Sequence, residues 1–412
     1  MSTASHIGQR ISELRHIRQL SVRRLAAKVN VSVSLLEKIE RGARNPSPGL
    51  IAALAEALGV GPDQITGQPY MNGSETQEQA QAVIPELRRI LLTYDNPDDL
   101  PAAPRPLAAL AVEMDHVVQM RQDGRYVPMG PLLPSLLSEL THIALTARDR
   151  EQQQAFWWLA RGYRATNSLA HKMGYHDLSF TAIERVRWAA SQSGDPLMQV
   201  TAAYLKAGAM VRMGTYSSAR RVLEGLLDEV EQLAPEQCMT DAHLALQGAV
   251  LLKLAILEAR DRRPDSDLRA RARLDEARGH AGMLGTDTSH YEMSFGPTNL
   301  RIHEVAALID SGDTEQALAK LREWGTEEDR DEWEVPASFA GERASHHYID
   351  VAAARLAEGD RAGAHRDLLE ARRIAPTHTR FHPTTRATAT TLVRLDRRND
   401  DSIAGLARWA GA

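Results

Sequence analysis

SVSLLEKIERG, residues 32–42, opens on a serine, closes on a glycine and places Leu35, Leu36 and Ile39 on one helical stripe. Serine suits the N-cap of a helix, and Gly42 can adopt the left-handed conformation that closes one. Working outward, Ser21 caps a second short helix, VRRLAAKV, which buries Leu25, Ala26 and Val29. Ile7, Ile11, Leu14 and Ile17 recur at helical spacing and predict a helix before it. On the other side Asn45-Pro-Ser-Pro breaks the chain, LIAALAEALGV forms a fourth helix and GPDQIT a short fifth. Five short helices, with the second and third joined tightly, are the plan of a helix-turn-helix unit.

Charge separates this head from the rest. Residues 1–66 hold nine Lys/Arg against five Asp/Glu, a net +4, whereas the other 346 residues sum to -9 within a total of -5 over 412 residues. A basic head on an acidic body points to a polyanion as the head's partner. The length calls for more than one unit. With 43% hydrophobic residues and no apolar run near the roughly 18 residues of a membrane span, no membrane association is expected. MSTASHIGQR lacks an apolar signal core, so a cytoplasmic protein is expected, nucleoid-associated when bound to DNA. The single cysteine, Cys238, offers neither an internal disulfide nor a cysteine-based zinc site.

The stretch SVRRLAAKVNVSVSLLEKIERGARNPSPGLIAALAEALGV resembles the repressor-type helix-turn-helix of the xenobiotic-response-element (XRE) family, which includes the lambdoid phage repressors and Cro. Leu25-Ala26, Ser32, Ile39-Glu40-Arg41-Gly42 and Pro46 follow the family pattern in order and spacing, and the resemblance covers residues 7–66. It implies that the quoted helix enters the major groove of double-stranded DNA by its N-terminus. Val33, Ser34 and Lys38, opposite Leu36 and Ile39, are then the base readers, a lysine for guanine and a valine for a thymine methyl. Ser21, Val22 and Ser32 lie where helix N-termini meet phosphate, though each serine serves equally as a plain cap. Arg41, Arg44 and Asn45 are placed for backbone contacts. Glu40 repels phosphate; by the resemblance it pairs with Arg15 and fixes the recognition helix.

GQPYMNGSETQEQA, residues 67–80, has loop formers and no sustained period, so the expected division is a DNA-binding domain at 1–66, a linker at 67–80 and a helical body at 81–412. The body repeats weakly. GTYSSARRVLEGLL (214–227), GDTEQALAKLREW (312–324) and GDRAGAHRDLLEARRIAP (359–376) each set a glycine turn between two helices. They resemble the tetratricopeptide (TPR) repeat, of period about 34 residues, and residues 165–190 follow more loosely across a long turn. The fold expected is all-α: a five-helix head followed by an α-solenoid of roughly eight TPR-like hairpins. SFGPTNL (294–300) stands outside the repeat, with Thr298 as an expected helix cap. The phrase resembles one in actinobacterial regulators that join an XRE head to a TPR-like body.

Catalytic motifs are absent: no Walker A loop, GxGxxG, GxSxG or HExxH occurs, and the chain reads as a non-enzyme without cofactor. Cys238 has no neighbouring base. His378 and His382 have a metal-pair spacing but no carboxylate beside them in sequence, so no metal is expected. A binding surface remains. Trp157, Arg161, Arg164, Asn167, Ser168 and His171 share one helical face and suit the groove of a solenoid, where a peptide or small molecule with an anionic group would meet Arg161 or Arg164. The sequence thus points to a DNA-binding transcriptional regulator, acting as a homodimer, whose body senses an effector. The alternative is a scaffold, or an antitoxin- or phage-type regulator, whose body grips another protein.

Overall fold

A computed structural model describes residues 6–70, 81–96, 100, 102–235, 239–261, 263–396 and 400–412. Cys238 and residues 71–80 of the expected linker lie outside the described residues. Among those described the chain is helical, without a β-strand; one isolated bridge joins Thr288 and Phe295.

The head contains α1 (Ile7–Ile17), α2 (Val22–Lys28), α3 (Val33–Glu40), α4 (Pro48–Leu58) and α5 (Pro62–Thr66). Ile11, Leu25, Leu36, Leu54 and Ile65 are fully buried and close one small core over all five helices. Ile17 departs from the expected stripe. It is 71% exposed, because α1 ends there and the chain turns away through Gln19 at φ 54°.

The body begins with α6 (Ile84–Leu92), α7 (Leu107–Gln122), α8 (Tyr126–Met129), α9 (Leu133–Thr146), α10 (Asp149–Met173) and α11 (His176–Gln192). It continues through α12 (Pro196–Arg212), α13 (Tyr216–Leu233), α14 (Asp241–Asp261), α15 (Ser266–Leu284), α16 (Pro297–Ser311) and α17 (Thr314–Glu327). The last helices are α18 (Gly341–Ala357), α19 (Arg361–Ile374), α20 (Pro376–Phe381), α21 (Pro383–Leu395) and α22 (Asp401–Ala410).

Among the described residues five regular hairpins, from α10/α11 to α18/α19, stack in order, where roughly eight were expected. Outside the hairpins the helices vary in length, from four residues in α8 to 16 in α7. The turn glycines Gly214, Gly312 and Gly359 sit at φ 77°, 96° and 88°, the conformation such tight turns require. Ala207, Ala219, Ala352, Ala364 and Ala371 are fully buried where paired helices approach. Residues 165–190 do not contain a long turn: α10 ends at Met173 and α11 starts at His176.

Two further expectations are corrected. Thr298 does not cap α16; Asp287 Oδ1 accepts from the backbone N–H groups of Thr298 (3.1 Å) and Asn299 (3.4 Å) from across the preceding loop. And α14 is long and apolar enough to cross a bilayer, which scattered polar residues such as His243 and Lys253 hide in the sequence; 83% of its apolar window is buried inside the protein.

The head leans on the body. Its α4 packs against α12 and α14, and Ala387 of α21 joins the edge of its core.

Candidate functional site

Ser21 and Ser32 are N-caps, accepting from Arg24 N (3.2 Å) and Leu35 N (3.1 Å). Capping leaves the helix N-termini of α2 and α3 open to solvent, where their free N–H groups suit an anion. Val33, Ser34 and Lys38 are exposed on α3, while Leu36 and Ile39 are buried beneath them. Glu37 shares the exposed face and was not singled out in the sequence, although its place one turn before Arg41 makes it legible. Val22 is half-buried, and the side chains of Arg41 and Arg44 reach solvent.

Arg15 ties α1 to the end of α3. Its guanidinium donates to both carboxylate oxygens of Glu40, Nε to Oε1 at 2.7 Å and Nη2 to Oε2 at 2.9 Å, and Nη1 donates to Leu20 O at 2.9 Å. Both side chains are about nine-tenths buried. The bond to Glu40 raises the Arg15 pKa further, against the opposing effect of burial. A bidentate pair of this kind fixes orientation as well as distance.

Asn45 and Arg41 are also engaged by the body. Thr391 Oγ1 donates to Asn45 Oδ1 at 3.3 Å, and Arg394 Nη2 donates to Arg41 O at 2.6 Å. Two of the three candidate phosphate contacts that follow α3 therefore touch α21.

Inside the body a cavity of about 420 Å³ runs between α10, α12, α14, α16 and α18, with Pro48 and Ile51 of the head at its rim. The fold divides the groove residues expected from the sequence. Arg164, Asn167, Ser168 and His171 line this cavity; Trp157 and Arg161 line a neighbouring pocket that only Arg164 shares with them. Trp157 Nε1 donates to Asp195 at 3.1 Å, and Ser179 Oγ donates to Asn167 Oδ1 at 2.7 Å.

Arg161 and Arg164 are not free to receive an anion. Glu292 takes Arg161 at 2.8 Å, Arg121 at 2.9 Å and Arg164 at 3.5 Å, and Arg164 also donates to the carbonyls of Tyr291 (2.6 Å) and Glu292 (2.9 Å). Burial pushes the Glu292 carboxyl up, but Arg164, Arg121 and Arg161 outweigh it and hold it below the usual range. Tyr291 and Glu292 are both left-handed, at φ 49° and 57°, a strained pair kept in place by these arginines. The expected anion contact is thus already filled from within the chain.

Other cations take its place. Arg212, Lys253 and Arg343 line the cavity and make no hydrogen bond or ion pair among the described residues. Arg212 Nη1 and Lys253 Nζ converge on Gly208, lying 3.7 and 3.9 Å from the position a Cβ would occupy there. Burial, with Arg343 and Arg212 nearby, lowers Lys253 to about 7; burial and Arg260 lower Arg212 to about 10. Burial also pushes His171 well below its ordinary value, so it stands neutral beside them. Lys253 Nζ also lies over the Tyr204 ring, 5.1 Å from its centroid, and the carboxylates of Asp350 and Glu342 line the same cavity. Buried cations without an ion-pair partner have the chemistry to meet a negative group. Sequence reasoning missed them because they sit on three helices far apart in the chain. The one available signal was Lys253, a lone charge amid the apolar run of α14.

Comparison with known proteins agrees with the head. Residues 6–66 match a helix-turn-helix domain family. The immunity repressor protein of Bacillus phage phi105 is 32% identical over 133 residues, covering 30% of this chain and 92% of the repressor. The crystal structure of Bacillus thuringiensis PlcR, in complex with the peptide PapR7 and DNA, aligns over 68% of this chain and 99% of its own at 18% identity. Its TM-score of 0.26 is too low for residue-level comparison.

Proposed function

The chain belongs to the XRE-type helix-turn-helix regulators and is a DNA-binding transcriptional regulator with a helical body, and from that premise we propose that the body is a sensor for an anionic effector. Ser21, Val22, Ser32, Val33, Ser34, Lys38, Arg41, Arg44 and Asn45 form the DNA face in this reading. The protein acts by binding rather than by catalysis, in the cytoplasm, and reads its operator as a homodimer on two half-sites one helical turn apart.

The observation that carries the sensor reading is the convergence of Arg212 and Lys253 on Gly208 in the cavity, neither cation being hydrogen-bonded or ion-paired among the described residues. A peptide carboxylate or a small anionic metabolite supplies that charge. Asn167, which lines the same cavity, is placed to hold its polar backbone. Such a ligand stabilises whichever head arrangement leaves the cavity intact, and coupling of about 1–3 kcal/mol is enough to alter operator occupancy. The route to the head is short, since Pro48 and Ile51 stand at the cavity rim.

The experiment is an operator titration at fixed salt, after selection of the operator from a random DNA pool, with and without fractionated cytoplasmic extract. Wild type should respond to one fraction. Lys253→Met with Arg212→Gln should bind the operator normally without extract and lose the response. A double variant that responds in full refutes the anion site, and a wild type deaf to every fraction refutes the sensor.

A further inference from the structure

The pair His378 and His382 gains a third member in space. His346 of α18 stands against both, with ring centroids 5.7 Å from His378 and 4.8 Å from His382, and the latter two are 5.4 Å apart. One ring nitrogen from each of the three lies within 4.8 Å of the others. His378 is almost fully buried, yet neither of its nitrogens has a hydrogen-bond partner among the described residues. An imidazole left unbonded on both sides in an interior is costly, and a metal bond satisfies it.

We propose that His346, His378 and His382 form a binding site for a divalent transition ion of the zinc class. Three neutral imidazoles are the donor set of zinc, copper or nickel, and exclude magnesium and calcium as residents. A tetrahedral zinc with bonds of about 2.05 Å places its nitrogens about 3.4 Å apart, so the rings close on the ion by roughly 1 Å. Carboxylates flank the triad on its own helix. Glu342 stands one turn before His346 and is paired with Lys172 at 2.8 Å, which neutralises the nearest opposing cation. Asp350 Oδ2, 3.4 Å from His346 Nε2, is placed to hold that ring in position. Three protein ligands leave a fourth coordination place for water.

The site sits at a sensitive joint. His382 is the N-cap of α21, its Nδ1 accepting from Thr384 N at 3.3 Å. A metal on either nitrogen ends that role: bound at Nδ1 it takes the lone pair, and bound at Nε2 it moves the ring proton to Nδ1. Metal capture therefore exchanges a helix cap for a coordinate bond at the base of the helix that carries Thr391 and Arg394 to the head.

The test uses the full chain, stripped with chelator and dialysed against zinc chloride, with metal content read by elemental analysis and cobalt(II) substitution read by visible absorption. One zinc per chain and an intense tetrahedral cobalt band are expected. His346→Gln and His382→Asn, the asparagine preserving the cap, should each weaken binding more than tenfold while leaving metal-free melting unchanged. His378→Ala is avoided because its burial makes misfolding the first result. Retention of less than one-fifth of an ion per chain overturns the site, as does binding that survives the double variant.

Discussion

The Arg394 guanidinium donates to the backbone carbonyl of Arg41 and lies against Gly42, so a helix from the far end of the body grips the end of α3. Gly42 has φ 70°, and a Cβ there would stand 1.8 Å from Arg394 Nη1. Gly42→Ala therefore combines the left-handed backbone penalty, on the order of 1 kcal/mol, with expulsion of the guanidinium. Arg394→Ala removes the grip alone. Both should speed amide exchange at residues 41–45 and in α21 several-fold, with the head core slowed equally in all forms. Unchanged exchange at 41–45 in Arg394→Ala refutes the grip.

Base reading and backbone contact separate by salt. Lys38 is exposed on the face of α3 opposite its buried stripe, and Lys38→Ala should cost about 1–3 kcal/mol on the operator and relax one position. Arg44→Ala should weaken all sequences alike and lower the salt slope by about one. Equal loss of specificity in both variants would sink the assignment.

The Arg15–Glu40 pair is a matter of stability. With both partners about nine-tenths buried, removing one strands the other's charge, so Glu40→Gln and Arg15→Met should each destabilise the head by about 3–5 kcal/mol. The double variant should recover part of that loss, because it leaves no lone charge. A thermal-melt double-mutant cycle reads the coupling, and strictly additive losses would mean that the pair does not act as a unit.

The helix ends behind these cases are features that local sequence carries, whereas the contact of Arg394 with Arg41, 353 residues away, is not. Caps, stripes and turn glycines are short-range: Ser21, Ser32 and Gly42 announce helix ends, and the glycines at 214, 312 and 359 announce hairpins, because each acts on its own few residues. The groove was legible only in part. Asn167 and His171 follow one helical face, but nothing near Arg161 or Arg164 in sequence reveals that Glu292, more than 120 residues away, already occupies them. The strained loop at Tyr291 and Glu292 has no glycine to betray it. Likewise His378 and His382 have no third ligand near them in sequence; α18 supplies His346 only after folding. Chemistry assembled across helices leaves no local period, and that is why the head reads clearly and the cavity does not.

Lys253 provides a pH test. Its folded pKa of about 7 lies below that of an unfolded lysine, about 10.4, so between those values the unfolded chain binds more protons. The penalty of burying the charged form is then fully present below pH 7 and is relieved as pH rises towards 10. Stability should climb over that window in wild type and climb less in Lys253→Met. A midpoint of urea unfolding with the same pH slope in both proteins refutes the low pKa.

Gly208 provides the sharpest test of the anion site, because its side-chain position is the point at which the two cations meet. A Cβ there finds only Arg212 Nη1, Lys253 Nζ and Lys253 Cε within 4 Å, at ordinary contact distances, so alanine enters without displacing the protein. Within α12 the change from glycine should stabilise the fold by up to about 1 kcal/mol. The added methyl nevertheless stands where an anion would bridge the two cations. Gly208→Ala should therefore melt no lower than wild type, bind the operator as before, and lose at least tenfold in affinity for the effector fraction. Affinity also follows the charge of Lys253: an anion favours its protonated form, so binding takes up a proton above pH 7 and weakens as pH rises, by at most about tenfold per unit for one coupled proton. Calorimetry of the active fraction at two pH values, in buffers of different ionisation heat, counts that proton. Proton uptake near zero at pH 8, or full affinity in the alanine variant, would place the effector's negative group away from Arg212 and Lys253.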